Sequence, residues 1–279
     1  MDRAARTPPP APRPDVPVRS LAIVLPCRNE ADAVADVVDG ALRWGGASAP
    51  VLEVVLVDDA STDRTGGIAD DLARRDARVR VVHNARSRGY GGALRAGFAA
   101  TTADWVFYTD GDGQFDLAEL PGFLAHLVDA DVVIGRRARR AEGPVRRLNA
   151  WGWTLAVNAA FGLRVRDVDC AFKVFPGAFL RALPLVSDGA LISAELLARS
   201  RRAGLRVVQR DVSHHPRRAG RATGANLRVI ARAFRELVSL RATIRGGASG
   251  RGASVPPEPE RPTPPGANDP PRSRSTPPE

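Results

Sequence analysis

Short apolar runs alternate with longer amphipathic stretches through the first half of the chain. Each run is short enough for a buried strand, and the stretches between them carry apolar residues at the three- or four-residue spacing of a helix. The predicted strands are Ser20–Leu25, Val51–Val57, Val79–Val82, Trp105–Tyr108 and Asp131–Gly135, and the predicted helices include Ala31–Trp44, Arg64–Arg75 and Leu117–Val128. This alternation predicts an α/β fold with a doubly wound, mostly parallel sheet flanked by helices.

The pattern changes after the fifth strand. Val145–Leu163 is apolar but carries arginine and tryptophan, and two interpretations stay open. It is either a helix at a membrane interface, with Trp151 and Trp153 at the headgroups, or an ordinary core helix. Beyond it the pattern predicts a helix over Leu191–Arg202, a strand over Leu205–Val208 and a closing helix over Leu227–Leu240.

Proline is concentrated at the two ends of the chain. Of 23 prolines, six lie in residues 1–17 and ten in residues 256–278. Such segments bury too little apolar surface to fold. We therefore predict disordered tails over residues 1–17 and 246–279, the second rich in proline, arginine and serine, around one catalytic domain over residues 18–245.

The net charge of +10 is unevenly distributed. Arg201–Arg245 holds twelve arginines against Asp211 and Glu236, and a second arginine cluster covers Arg136–Arg147. This asymmetry favours an anionic partner such as a membrane surface, a phosphorylated ligand or nucleic acid. Nucleic acid is disfavoured, because the arginines are not interleaved with stacking aromatic residues.

Cysteine usage and hydropathy indicate the compartment. Cys27 and Cys170 are far apart and show no metal-binding spacing, so neither a zinc site nor a disulfide framework is predicted. No apolar segment of a secretion signal precedes Leu21, and no run approaches the roughly 18 apolar residues of a membrane span. We expect a cytoplasmic protein, with any membrane contact peripheral and on the inner face.

Carboxylates follow two of the predicted strands directly. Asp110 and Asp112 follow the fourth strand with one glycine between them, and Asp58 and Asp59 follow the second. Ligands of open α/β sheets bind at this edge. Asp110 and Asp112 offer two hard oxygen ligands on a flexible turn, which suits Mg²⁺ or Mn²⁺ holding a diphosphate. Asp58 and Asp59, at the tip of a strand, can instead accept hydrogen bonds from a base or ribose.

A glycine-rich loop, Asn84–Gly97, leads into another helix. It lacks the third glycine of a dinucleotide fingerprint, because Leu94 stands there, and it has no Walker lysine. Its backbone N–H groups and Arg86, Arg88 and Arg95 still favour a phosphate near the helix start.

Together, the ordered motifs of the chain resemble family 2 glycosyltransferases of the GT-A fold, most closely the dolichyl- or polyprenyl-phosphate sugar transferases. The motifs are LPCRNE, VVLVDDASTDRT, the loop of residues 84–97, DGDGQ, GRR, DVDCAFKVF and HPRRAG, and they span nearly all of Leu21–Leu240. The chain departs from the family pattern at Arg28, where an aromatic or small residue is more usual, so guanine and uracil both remain open as the donor base. The chain also departs from the family pattern at Lys173, where arginine is common, and at Ala222, where serine is common.

The resemblance also implies roles for single residues. The nucleotide pocket would be lined by Pro26, Arg28, Glu30 and Asp58, with Asp110 beside the diphosphate. Asp110 and Asp112 would hold Mg²⁺ or Mn²⁺. The catalytic set would comprise Asp112, Gln114 near the sugar, and Arg137, Lys173 and Arg217 facing phosphate groups of the donor or the lipid.

The activity that the resemblance implies is an inverting transfer of a sugar from a nucleoside-diphosphate sugar, of the GDP-mannose or UDP-glucose type. The acceptor would be a polyprenyl or dolichyl monophosphate at the membrane surface. The same chemistry on a soluble hydroxyl or phosphorylated acceptor is the alternative. A hydroxyl acceptor would need a general base, for which Asp169 and Glu195 are the candidates.

Overall fold

The computed structural model describes residues 18–138, 144–216 and 227–246, all within one compact unit that covers residues 1–249. The predicted tails lie outside the described residues, apart from Gly246, which ends the last helix. Their disorder stays a prediction.

The predicted sheet is confirmed, and it has seven strands in the described part of the chain. The strands are β1 Ser20–Cys27, β2 Val51–Asp58, β3 Val79–His83, β4 Trp105–Thr109, β5 Val132–Arg137, β6 Phe172–Pro176 and β7 Val207–Val212. Their order across the sheet is β3-β2-β1-β4-β6-β5-β7. Among these strands β6 alone runs antiparallel to its neighbours, so the sheet is mostly parallel.

Helices follow most of the strands where the sequence pattern predicts them. They are α1 Val34–Gly46, α2 Thr65–Arg75, α3 Gly89–Ala99, α4 Leu120–Leu124, α5 Pro144–Phe161, α6 Gly177–Ala182, α7 Ile192–Arg202 and α8 Leu227–Gly246. Of these, α6 was not predicted. The predicted helix over residues 117–128 is interrupted, because 3₁₀ turns over Leu117–Glu119 and Ala125–Val128 flank the short α4. Pro121 lacks a backbone N–H group and so cannot continue a helix from the preceding turn.

The core is centred on β1 and β4. Residues 21–25 of β1 have no exposed surface, nor do Val106, Phe107 and Tyr108 of β4. A strand whose consecutive side chains are all buried has both faces covered, as in other parallel sheets packed between helices. The polar loops at the strand ends are therefore the part of the sheet that a ligand can reach.

Candidate active site

The carboxyl ends of the parallel strands meet at one edge of the sheet. There β1 ends at Cys27, β2 at Asp58, β4 at Thr109 and β5 at Arg137. The antiparallel β6 begins at the same edge, with Phe172 paired to Thr109 and Lys173 to Tyr108. The fold therefore brings together sequence motifs that are separated by more than a hundred positions.

The acidic pair follows β4 in a tight turn. Asp112 is buried, at 4% exposed, and its carboxylate accepts a hydrogen bond from the backbone N–H of Gln114 at 3.1 Å. Gly111, between the two acids, packs so closely on β1 that an added Cβ would lie 2.5 Å from the Cys27 sulfur. A larger residue there would push the acidic turn away from the sheet edge.

Burial and mutual repulsion of the two acids make this turn favourable for a cation. Burial and the neighbouring Asp112 carboxylate raise the pKa of Asp110 to about 7, against the opposing effect of the Tyr90 hydroxyl. Among the described residues no group of three or more His, Cys, Asp or Glu side chains could hold a metal ion. Two carboxylates nevertheless fit Mg²⁺ or Mn²⁺, because such ions commonly take one or two carboxylates and complete their coordination with substrate phosphates and water.

Gln114 connects the acidic turn to the segment after β7. Its backbone carbonyl accepts from the N–H of His215, and its side-chain amide donates to the His215 carbonyl, both at 2.8 Å. The contact brings the start of the HPRRAG motif over the acidic turn. Arg217, the predicted phosphate ligand of that motif, lies outside the described residues.

Arg137 forms a buried ion pair at the end of β5. Its Nε and one terminal nitrogen each donate to a different oxygen of Asp167 at 2.8 Å, and the two side chains are 11% and 2% exposed. Planar, bidentate pairing of this kind fixes the guanidinium orientation. Arg137 lowers the pKa of Asp110, which places its charge within electrostatic reach of the acidic pair. The sequence pattern did not indicate this role for Asp167.

The expectation that Lys173 faces a phosphate does not fit its surroundings. Its side chain has no exposed surface, and its ammonium donates to the carbonyls of Val168 and Cys170 and, at 3.3 Å, to the Ser193 hydroxyl. The register of β6 directs it inward beside Tyr108. Lys173 therefore holds the turn before β6 in this structure, and its contact with a phosphate stays a prediction.

The two general-base candidates have different environments. Asp169 accepts a hydrogen bond from the Trp153 indole at 3.2 Å, and burial raises its pKa against the effect of nearby Lys173. Glu195 is fully buried on α7, where it accepts hydrogen bonds from the backbone N–H groups of residues 186 and 187 and from Arg199. Its carboxylate is fully engaged, so Asp169 is the better candidate for a base.

The predicted nucleotide-binding residues lie on adjoining loops. Pro26 is buried within β1, whereas Arg28 is exposed and donates to the Ser87 hydroxyl at 2.7 Å. The backbone N–H of Glu30 donates to the Thr65 hydroxyl at 2.9 Å. Asp58 is 7% exposed and accepts hydrogen bonds from neighbouring protein groups. These residues line one rim of the sheet edge, and their contact with a nucleotide stays a prediction.

The start of α3 differs from the predicted phosphate neighbourhood. The Asp59 carboxylate accepts hydrogen bonds from the backbone N–H groups of Arg88 and Gly89, at 2.7 and 3.0 Å. The backbone N–H of Gly91 donates to the Asp188 carbonyl at 2.8 Å, and Arg95 pairs with the Asp188 side chain. The N–H groups of Arg88, Gly89 and Gly91 therefore already have protein acceptors, from Asp59 and from the loop before α7.

Helix α5 combines features of both earlier interpretations. Thr154 and Val157 are buried, and the Trp153 indole donates a hydrogen bond to Asp169, as expected of a core helix. Leu148, Trp151 and Leu155, however, are 65%, 64% and 55% exposed along one stripe of the helix. No helix within residues 18–138, 144–216 and 227–246 is long and apolar enough to cross a bilayer.

Comparison with known proteins identifies the family. The sequence profile of glycosyl transferase family 2 matches residues 22–185, which is more than half of the chain. The matched range includes the acidic turn after β4 and ends in the loop before α7. The chain belongs to glycosyl transferase family 2. As an enzyme of this family it is a glycosyltransferase, and the resemblance inferred from its motifs is confirmed.

Two characterised relatives of this glycosyltransferase act on lipid phosphates, as their names state. It is 30% identical over 208 residues to the undecaprenyl-phosphate mannosyltransferase of Micrococcus luteus, an alignment covering 71% of this chain and 84% of the relative. It is 26% identical over 230 residues to the dodecaprenyl-phosphate galacturonate synthase of Rhizobium johnstonii, covering 80% and 67%.

A solved structure shares the fold of this glycosyltransferase. Glucosyl-3-phosphoglycerate synthase from Mycobacterium tuberculosis, in complex with Mn²⁺ and UDP-glucose, superposes with a TM-score of 0.62. The match covers 82% of this chain and 79% of that chain at 23% sequence identity. The GT-A architecture predicted from the sequence is thereby confirmed.

Proposed function

We propose that this family 2 glycosyltransferase moves a sugar, with inversion, from a nucleoside-diphosphate sugar to a polyprenyl monophosphate. The observation that carries the proposal is the placement of the Asp110/Asp112 pair and Arg137 at one sheet edge, where Arg137 acts electrostatically on Asp110. Opposite charges there suit a reaction between two phosphate-bearing substrates. The named activities of the two lipid-phosphate relatives support the acceptor.

In the proposed reaction an oxygen of the acceptor phosphate attacks the anomeric carbon. The bond from that carbon to the donor diphosphate breaks, and the nucleoside diphosphate leaves with the electron pair. Asp110 and Asp112 would hold Mg²⁺ or Mn²⁺, which when bound neutralises charge on the leaving diphosphate. The solved relative that carries Mn²⁺ and UDP-glucose supports this choice of ions.

A phosphate acceptor requires little help from a base. The second pKa of a phosphate monoester is about 6, so an oxyanion is already present near neutral pH. In this proposal Arg137 stabilises the acceptor charge, while Asp167 keeps the guanidinium oriented. The Asp169→Asn variant separates the acceptor classes, because transfer to a hydroxyl should collapse whereas transfer to a phosphate should lose little.

Peripheral contact with the inner, anionic face of the membrane is part of the proposal. The exposed stripe of Leu148, Trp151 and Leu155 presents apolar side chains and an indole, which sit well at headgroup depth. The sequence places the Arg136–Arg147 cluster immediately before and within the first turn of this helix, and arginines are attracted to anionic lipids. Flotation with anionic vesicles, compared with neutral ones and with a Trp151→Ser variant, tests this contact.

A radiolabelled transfer assay tests the reaction. UDP- and GDP-sugars are offered with Mg²⁺ or Mn²⁺ and polyprenyl phosphate to the wild type, to Asp112→Asn and to Asp129→Asn. Asp129 is an exposed acid before β5 and serves as the matched control. Label should enter the organic phase with the wild type and the control, and disappear with Asp112→Asn. Label that appears only in a phosphorylated water-soluble acceptor would replace the lipid assignment with the soluble one.

A further inference from the structure

A histidine bridges two carboxylates beneath the predicted nucleotide pocket. His83 ends β3, with its Nδ1 3.1 Å from Asp58 and its Nε2 3.0 Å from Asp70 on α2. The side chains of His83 and Asp70 are 46% and 48% exposed, and that of Asp58 is 10% exposed. The bridge therefore ties a buried acid at the sheet edge to an acid on the surface.

Both contacts of His83 can be donated at once only by the charged ring. A neutral imidazole has one N–H group and one acceptor nitrogen, and it would direct a lone pair at one carboxylate. The hydrogen bond to Asp70, and then that to Asp58, raises the pKa of His83 against the effect of partial burial. Asp58 from β2 and Asp70 from α2 are the charged groups that act on the ring among the described residues.

The bridged Asp58 in turn holds a strained loop. Its second oxygen accepts a hydrogen bond from the backbone N–H of Ser61 at 2.9 Å, directly after Ala60, which has a φ of 56°. Alanine avoids this left-handed conformation unless neighbouring contacts enforce it. The Asp58 carboxylate helps to enforce this conformation, because its hydrogen bond to the Ser61 N–H closes the turn that contains Ala60.

The strained loop is coupled to the loop that carries Arg28 and Glu30. The Ser61 hydroxyl accepts a hydrogen bond from the backbone N–H of Asn29 at 3.1 Å, and the Asn29 side chain accepts from the N–H of Thr62 at 2.8 Å. Asn29 has a φ of 58°, and within the described residues Asn29 and Ala60 are the non-glycine residues with positive φ. Two strained loops therefore support each other next to the proposed nucleotide pocket.

We propose that His83 is a positioning residue for the donor nucleotide, acting through Asp58 on the two loops that flank Arg28 and Glu30. This inference rests on the proposed function, since it assumes that a nucleoside diphosphate binds at those loops. The charged ring holds Asp58 in the orientation that supports the Ala60 turn. The neutral ring loosens one of the two contacts, and donor affinity falls.

The sign of the pH dependence follows from the direction of the shift. The folded pKa of His83 lies above the ordinary value of about 6.5. The contribution of the charged ring to the stability of the two loops, and so to donor affinity, is therefore complete below about pH 6.5. It is lost as pH rises through the folded pKa. Partly exposed ion pairs contribute about 0.2–1 kcal/mol, so the loss of donor affinity should be no more than about fivefold.

Calorimetric titration of the purified full chain with UDP and with GDP, in the presence of Mn²⁺, tests the proposal between pH 6.5 and 8.5. The variants are His83→Gln, which cannot become charged, and Asp70→Asn, which removes the larger cause of the raised pKa at a site remote from the pocket. We expect the wild type to bind about two- to fivefold more tightly than His83→Gln at pH 6.5, and the difference to shrink towards pH 8.5. Asp70→Asn should move the wild-type transition to lower pH.

The ligand phosphates and Asp110 also titrate in this range, but they do so in the wild type and in every variant. Their effect therefore cancels in the ratio of the variant's dissociation constant to that of the wild type at the same pH. If His83→Gln weakened binding by the same factor at both pH values, or not at all, the positioning role would be refuted while the proposed function stood. If neither nucleoside diphosphate bound the wild type at any pH, the proposed function would fail and this inference with it.

Discussion

Replacing Glu195 with glutamine tests whether this acid serves chemistry or structure. The carboxylate has no exposed surface and accepts hydrogen bonds from the backbone N–H groups of Val186 and Ser187, at 3.1 and 2.9 Å. It also accepts from Arg199 at 2.9 Å, whose side chain is 13% exposed. Arg199 in turn donates to the Pro184 carbonyl at 2.8 Å, so Glu195 fixes the whole loop before α7.

The size of the effect follows from these contacts. Glutamine keeps one acceptor oxygen, but its amide N–H groups face backbone donors, and the guanidinium of Arg199 loses its counter-charge. Hydrogen bonds to charged groups contribute about 1.5–3 kcal/mol each, and breaking one partner of a buried pair costs about 3–5 kcal/mol. We expect a loss of about 3 kcal/mol, which for a domain of this size lowers the melting temperature by about 6–12 °C.

Thermal unfolding followed by circular dichroism measures the effect on stability, and transfer activity at 15 °C measures the effect on catalysis. Glu53→Gln is the matched control, because Glu53 lies on β2 in a looser, more exposed pair with Arg80 at 3.6 Å and should change the melting temperature little. The Glu195→Gln variant should retain its turnover per folded molecule within about threefold. A variant with the wild-type melting temperature that lost transfer by orders of magnitude would make Glu195 a catalytic group and refute the structural assignment.

The effects of four further substitutions are predicted from packing and charge. Because the pKa of Asp110 is raised from 3.8 to about 7, the metal-free protein loses stability as pH rises between these two values, and the loss is complete above about pH 7. Asp110→Asn should therefore stabilise the chain in EDTA at pH 8 by about 1–3 kcal/mol, less at pH 5, and abolish transfer; an equal gain at both pH values would contradict this. Lys173→Met leaves two buried carbonyls unpaired and should lower the urea midpoint by an amount equivalent to about 2–4 kcal/mol; an unchanged midpoint would argue against its internal role. Gly91→Ala would place a Cβ 2.3 Å from the Ser187 carbonyl oxygen, whereas Gly67→Ala meets nothing within 4 Å. The first should destabilise by about 1–3 kcal/mol and the second should stabilise slightly, both read from melting curves.

The sequence determined the architecture and most of the candidate site, because the relevant signals are local. Short apolar runs followed by helical spacing marked the strands, and acids placed directly after a strand identified the functional edge. The position of Asp110 and Asp112 after a strand made them candidates, and the other motifs of the chain supported their predicted role. The ordered motifs then indicated the family, which the profile match confirmed.

The tertiary structure decided what each polar side chain faces. Lys173 looks like a phosphate ligand in the sequence, yet strand register turns it inward onto two carbonyls. Asp59 closes the start of α3, which the glycine pattern had indicated as a phosphate site. The bridge from Asp58 through His83 to Asp70 joins three elements. Such partners are set by how strands and helices pack across long sequence separations, and a linear pattern carries no record of those contacts.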